Sequence, residues 1–177
     1  MIKVFIFLSL FYPSFWIDGC GQFGTNPFTE AGLITNPSFE IFGQPSQKSW
    51  TDGGAIVQDA PRGGGRWCLE MEATWFPAVN VSTTIPAPFG LHQYKFSVWG
   101  KYHGVIHGTA RLMIKRADSM DFRTSIGVTD TVWTYYTAVD TIRANPGDSL
   151  VVQLTGGASE LLGGKTFFDL CELEEIR

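Results

Sequence analysis

Tyr94-Lys95-Phe96-Ser97-Val98-Trp99-Gly100-Lys101 changes chemistry at every step. Tyr94, Phe96, Val98 and Gly100 fall on one side and Lys95, Ser97, Trp99 and Lys101 on the other, the period of a β-strand with one face on a core. The pattern recurs outward from this stretch. Thr109 to Arg116 places Ala110, Leu112 and Ile114 inward, with Arg111, Met113 and Lys115 outward. Further strands are expected over 33–40, 66–71, 79–85, 133–142, 150–154 and 166–173, where apolar and β-forming residues cluster. The breaks between them have their own chemistry. Three consecutive glycines in Asp59-Ala60-Pro61-Arg62-Gly63-Gly64-Gly65 exclude a strand interior, and in Asn145-Pro146-Gly147-Asp148 proline presets one dihedral while glycine permits the next. No internal repeat, low-complexity tract or amphipathic helix interrupts the series. Eight or so short strands at this spacing predict an all-β protein, a two-sheet antiparallel β-sandwich of the jelly-roll kind.

The chain has 177 residues, enough for one domain with a real core. Charged residues make up 17% and aromatics 14%, so solvated helical faces are scarce and strand formers abundant. The net charge of −4, with no basic block, removes the electrostatic footprint of a nucleic-acid binder.

Lys3 followed by the apolar run Val4 to Phe11 reads as an export signal, too short for a stable membrane span, with residues 1–19 as the signal peptide. Ile17-Asp18-Gly19-Cys20 resembles a bacterial lipobox, which implies lipidation of Cys20 and an outer-membrane or surface lipoprotein. Asp18 departs from that pattern, and cleavage by the ordinary signal peptidase would make the protein secreted instead. Residues 20–32 are polar and turn-rich, a tether to the β-domain at 33–177, so membrane contact is expected only through the anchor. Cys68 and Cys171 would then sit where disulfides are permitted. Cys171 is in phase with Leu173, whereas Cys68 is out of phase with Leu69 and Met71, which favours two buried thiols over a bridge.

Three segments carry a family resemblance: Asn36-Pro37-Ser38-Phe39-Glu40, the 94–101 strand, and Phe167-Phe168-Asp169-Leu170-Cys171-Glu172-Leu173. Together they look like the carbohydrate-binding modules of the family 4, 9 and 22 type, a galactose-binding-domain-like jelly roll, over residues 33 to 176. The resemblance implies that Glu40 and Asp169, with the 59–65 loop and its Asp59, hold a structural calcium. Calcium takes six to eight oxygens, and a glycine-rich loop exposes carbonyls well. The plainer alternative is a solvent-facing Glu40 and an Asp169 that caps local amides.

Sugar rings present apolar C–H faces and a hydroxyl rim, so aromatic platforms beside planar hydrogen-bonding side chains suit them. Trp99 and Lys101, with Arg111, Lys115 and Gln153 if the strands pair as in the family, offer that mixture; Trp75-Phe76 follow the strand ending at Met71, and the position of Trp75 resembles the platform tryptophan of some family 4 modules. Tyr102, His103 and His107 follow the strand end, where a loop could close a groove. Trp50, Trp67 and Trp133 read as packing residues.

Enzyme signatures are missing from the sequence. There is no Gly-x-Ser-x-Gly, no His-Glu-x-x-His and no zinc-spaced cysteine pair, and Gly163-Gly164-Lys165-Thr166 lacks the leading glycine of a phosphate loop at Ser159. The expected function is non-catalytic binding of a polysaccharide or glycan at the cell envelope, with any enzyme supplied in trans. The alternative is a structural or adhesive envelope lipoprotein that keeps the fold without a sugar site.

Overall fold

The computed structural model describes residues 32–73, 78–157 and 163–176. The expectations for the signal peptide, for Cys20 and for Trp75-Phe76 lie outside them. The described residues form eleven strands: β1 (Glu40–Ile41), β2 (Gln44–Pro45), β3 (Ala55–Val57), β4 (Cys68–Glu72), β5 (Asn80–Pro86), β6 (Gly90–Gly104), β7 (Thr109–Lys115), β8 (Met120–Gly127), β9 (Thr134–Ala144), β10 (Ser149–Thr155) and β11 (Gly164–Ile176). They make a five-stranded sheet in the order β3-β4-β11-β6-β9, a four-stranded sheet in the order β5-β10-β7-β8, and a separate β1-β2 hairpin. Every pairing is antiparallel. The all-β sandwich of jelly-roll kind is therefore the fold.

Alternation builds the core. Tyr94, Phe96 and Val98 on β6, Ala110, Leu112 and Ile114 on β7, and Leu150, Val152 and Leu154 on β10 all enter one buried cluster with Phe168, Cys171 and Leu173 of β11. Burying a Leu or Phe side chain of this kind contributes about 1.5–3 kcal/mol, and the cluster fills the space between the sheets.

The segment expected as the first strand is different. Residues 33–39 are turn and bend, and only Glu40–Ile41 pair, with the hairpin partner rather than with a sandwich sheet. The reason is local: Asn36 and Phe39 sit at φ of 59° and 53°, a left-handed region that breaks a ladder, and Pro37 has no N–H to donate. The segment still runs beside β11, with Leu33 N–H donating to Leu173 O at 2.8 Å and Cys171 N–H to Pro37 O at 2.9 Å. Asn36 Nδ2 donates to the carbonyls of Ser46 and Lys48. Trp50 Nε1 donates to Asn36 O at 3.0 Å, and the buried Phe39 packs on Trp50 with ring centroids 5.1 Å apart. The Asn-Pro-Ser-Phe-Glu signature is thus a folded corner that aims Glu40.

β11 carries the second irregularity. Phe168 points inward opposite Gly100 and Asp169 outward opposite Trp99, but the register then shifts, with Leu170 at φ 44°. This bulge returns Cys171 to the core while Asp169 remains on the outer face. Cys68, in phase with Glu70, lies on that outer face as well, and both thiols are free and buried, as their opposite phases predict. Three strands, β2, β3 and β8, fall outside the strands expected from the sequence.

Candidate functional site

Two separate constellations emerge, one on the outer face of each sheet.

The first lies where the 59–65 loop crosses the five-stranded sheet. Asp169 is fully buried. Its Oδ1 accepts from Leu170 N–H at 2.8 Å, and Oδ2 has no hydrogen-bond partner. Burial first, and the nearby Glu40 carboxylate after it, push the Asp169 pKa up to about 9, against the Leu170 amide, which lowers it. Glu40 Oε2 accepts from Arg66 N–H at 2.8 Å. The consecutive glycines fit between the two acids. A Cβ on Gly64 would fall on Asp169 Oδ2, and one on Gly65 would fall on the Glu40 carboxylate. Adjacent Cα atoms lie about 3.8 Å apart, so two carboxylates are gathered at one loop, one of them with an orphaned oxygen. An orphaned buried carboxylate oxygen beside a second carboxylate and an exposed-carbonyl loop is a fit for a hard cation.

Asp59 is placed elsewhere. Its Oδ2 accepts from Lys101 Nζ at 2.6 Å and its Oδ1 faces Trp133 Nε1 at 3.4 Å. Among the described residues no third His, Cys, Asp or Glu joins Glu40 and Asp169. Of the three expected carboxylates, the structure brings Glu40 and Asp169 together at the loop and places Asp59 against Lys101. Lys101 Nζ also sits 5.1 Å from the ring centroids of both Trp133 and Phe167, which fixes the loop to the sheet by charge and by ring contact. Lys101 is spoken for. Trp99 shares this outer face, with Tyr135 of β9 opposite it and ring centroids 5.7 Å apart. Trp67 and Trp133 are half-buried around the loop, Trp67 Nε1 donating to Gly43 O at 3.1 Å, and Trp50 is the core tryptophan.

The second constellation is on the four-stranded sheet. Register aligns Ser82 of β5, Gln153 of β10, Arg111 of β7 and Ser125 of β8 in one row across the strands. All four alternate with core residues, so they point away from the sandwich interior. Arg111 is half-buried, its Nε has no hydrogen-bond partner among the described residues, and its guanidinium lies 5.9 Å from the Phe122 ring centroid. The next row is Thr84, Val151, Met113 and Phe122, with Phe122 55% exposed. Val151 and Met113 in that row are buried, so the face presents the Phe122 ring beside a planar guanidinium, an amide and hydroxyls.

The sequence reading placed Trp99 and Lys101 beside Arg111 and Gln153. The structure separates them onto opposite sheets. Tyr102 belongs to neither face: it follows Phe96, Val98 and Gly100 in phase and packs against the core, with its ring 5.9 Å from that of His107. Phe122 was missed because β8 was missed. Its strand, Met120–Gly127, mixes Asp121, Arg123, Thr124 and Ser125 among few apolar residues, so edge position gives it a weak periodic signal.

No protein-family model matches the sequence, and no curated protein matches it. Solved structures do. A family 16 carbohydrate-binding module aligns over 80% of this chain and 98% of its own length, at 20% identity and a TM-score of 0.61. The family 22 xylan-binding domain from Paenibacillus barcinonensis Xyn10C aligns over 83% of this chain and 97% of its own, at 15% identity and a TM-score of 0.53. A family 61 module solved with β-1,4-galactotriose aligns over 82% and 99%, at 17% identity and a TM-score of 0.53. The chain has the jelly-roll fold of the carbohydrate-binding modules.

Proposed function

We propose that this protein is a non-catalytic glycan-binding module whose ligand lies along the outer face of the four-stranded sheet. The observation that carries the reading is the cross-strand row Ser82–Gln153–Arg111–Ser125, with Phe122 beside the guanidinium. Planar donors and acceptors meet ring hydroxyls, while the exposed Phe122 ring meets the C–H faces. The fold shared with modules named for xylan and galactotriose supports this assignment.

Calcium has a structural part in the proposal. Glu40 and Asp169 bind it with loop carbonyls, neutralising a carboxylate that otherwise stays protonated in its buried position. The ion ties the 33–40 corner, the glycine loop and β11 together, on the opposite sheet from the sugar face. Export, lipidation of Cys20 and an envelope location belong to the same proposal and rest on residues 1–20 of the sequence. A module so held would keep a polysaccharide near the cell surface, where an enzyme supplied in trans could act on it.

Affinity gel electrophoresis against a panel of soluble polysaccharides tests the sugar site. The wild type is expected to be retarded by at least one polymer and Gln153→Ala and Arg111→Ala to be retarded less. A wild type that migrates freely in every gel would leave the envelope-structural alternative standing.

A further inference from the structure

The charge on the two outer faces is unequal. β5, β10, β7 and β8 contain a single acidic residue, Asp121. It lies opposite the inward-facing Ile114, and Arg116 Nε binds its Oδ2 at 2.8 Å. By contrast β11 alone, in the other sheet, carries Asp169, Glu172, Glu174 and Glu175. The third cation of these strands, Arg123, is taken by Asp140 at 3.2 Å through both Nε and Nη2. Two cations remain, Arg111 and Lys115, and neither forms an ion pair with a described residue. Both are outward positions of β7, four residues and so about 13 Å apart along the strand. The chain is acidic overall, at −4, yet the face proposed to bind sugar is cationic.

We infer that the ligand of this face is an anionic polysaccharide, one whose sugar units carry carboxylate or sulfate groups. This rests on the glycan-binding reading above and names the substrate class. A guanidinium presents a planar fork that matches a carboxylate or sulfate in two hydrogen bonds, and Arg111 is half-buried beside Phe122 with its Nε unpartnered among the described residues. Burying such a cation without a counter-charge is costly, and an anionic group on the ligand removes that cost. Gln153 and Ser125, its neighbours in the row, are left for the adjoining hydroxyls. Lys115, exposed at the other end of the strand, reaches a second charge further along the same chain, so a polymer binds better than a single sugar.

The probes are two matched pairs: polygalacturonate against its methyl ester, and dextran sulfate against dextran, with xylan as a further neutral polymer. Affinity electrophoresis and titration calorimetry are run in low and high salt. At least one acidic member is expected to bind at least tenfold more tightly than its neutral partner, with affinity falling in high salt. Arg111→Gln should lose most of that preference and Lys115→Gln part of it. Lys115 is exposed, so its variant reports on binding even where Arg111→Gln unfolds, and the thermal midpoint checks each fold. Equal or tighter binding of a neutral partner, or acid binding untouched by Lys115→Gln and Arg111→Gln, would overturn the inference and leave the glycan reading intact. Absence of binding to all five polymers would overturn both.

Discussion

Asp169 stands directly opposite Trp99 across the β11–β6 pair, so the buried carboxylate and the half-exposed indole share the outer face of the five-stranded sheet. Arg111 and Gln153 face one another across the other sheet. The Glu40–Asp169 corner and the proposed sugar face therefore back onto each other through the core.

That arrangement separates two aromatic substitutions. Trp99→Ala should leave polysaccharide retardation within twofold of wild type, because its ring contacts Tyr135 and not the Arg111 row. Phe122→Ala should weaken retardation at least fivefold without lowering the thermal midpoint by more than a few degrees, since the ring is largely exposed. The reverse pattern in gels would move the sugar site to the five-stranded sheet.

Asp169 predicts a pH dependence whose direction calcium reverses. Its folded pKa of about 9 lies above the ordinary 3.8, so the folded state holds the proton more tightly. In chelator, this contribution to stability is complete below about pH 3.8 and is lost as pH rises towards 9. At the proposed site calcium would take the place of the proton, so the midpoint shift it produces is expected to grow across that window. Asp169→Asn should be as stable as wild type in chelator at neutral pH and should show no calcium shift in calorimetry.

Gly64 is the cleaner probe of the loop. It has no left-handed φ, unlike Gly63 and Gly65, yet a Cβ there collides with Asp169 Oδ2 and with Pro61. Gly64→Ala is therefore expected to abolish the calcium-dependent shift and to lower the midpoint by several degrees, roughly 2–4 °C for each kcal/mol lost in a domain of this size. An unchanged calcium response would show that the ion binds elsewhere.

Lys101 pins the same loop from below. Replacing it by methionine keeps contact with the Trp133 and Phe167 rings but leaves the partly exposed Asp59 to water, at a cost of about 1 kcal/mol in urea unfolding. Glycan retardation should not change.

The thiols give a structural readout. Burial first, then the charges of Asp169 and Asp59, push the Cys68 pKa up to about 12, and burial raises that of Cys171 too. Neither should react with a thiol reagent at pH 8 in the native state, and both should react in denaturant. Slow labelling of Cys68 alone after Gly64→Ala would show the loop lifting from it.

Most of the sandwich was legible because strand alternation is a local property. The 94–101, 109–116 and 150–154 patterns became the central strands β6, β7 and β10; β6 and β10 are extended at their ends by ladder hydrogen bonds that carry no residue signature, and β7 stops at Lys115. The 33–40 segment misled because its apolar residues pack without pairing: Ile34 and Phe39 are buried from a folded corner, not from a strand. β8 went unread because an edge strand can be polar on both faces.

By itself, the sequence determined the β-class, the inward residues of the main strands, the glycine loop and the two acids at the chain's ends, all matters of period and local chemistry. Only the tertiary structure decided which strands share a sheet. Two residues in phase on their own strands reach the same surface only if those strands belong to one sheet, and strand order is set by long-range pairing. That is why Trp99 and Arg111, alike outward-facing in the sequence, stand on opposite faces, and why Asp59 answers Lys101 in place of Asp169.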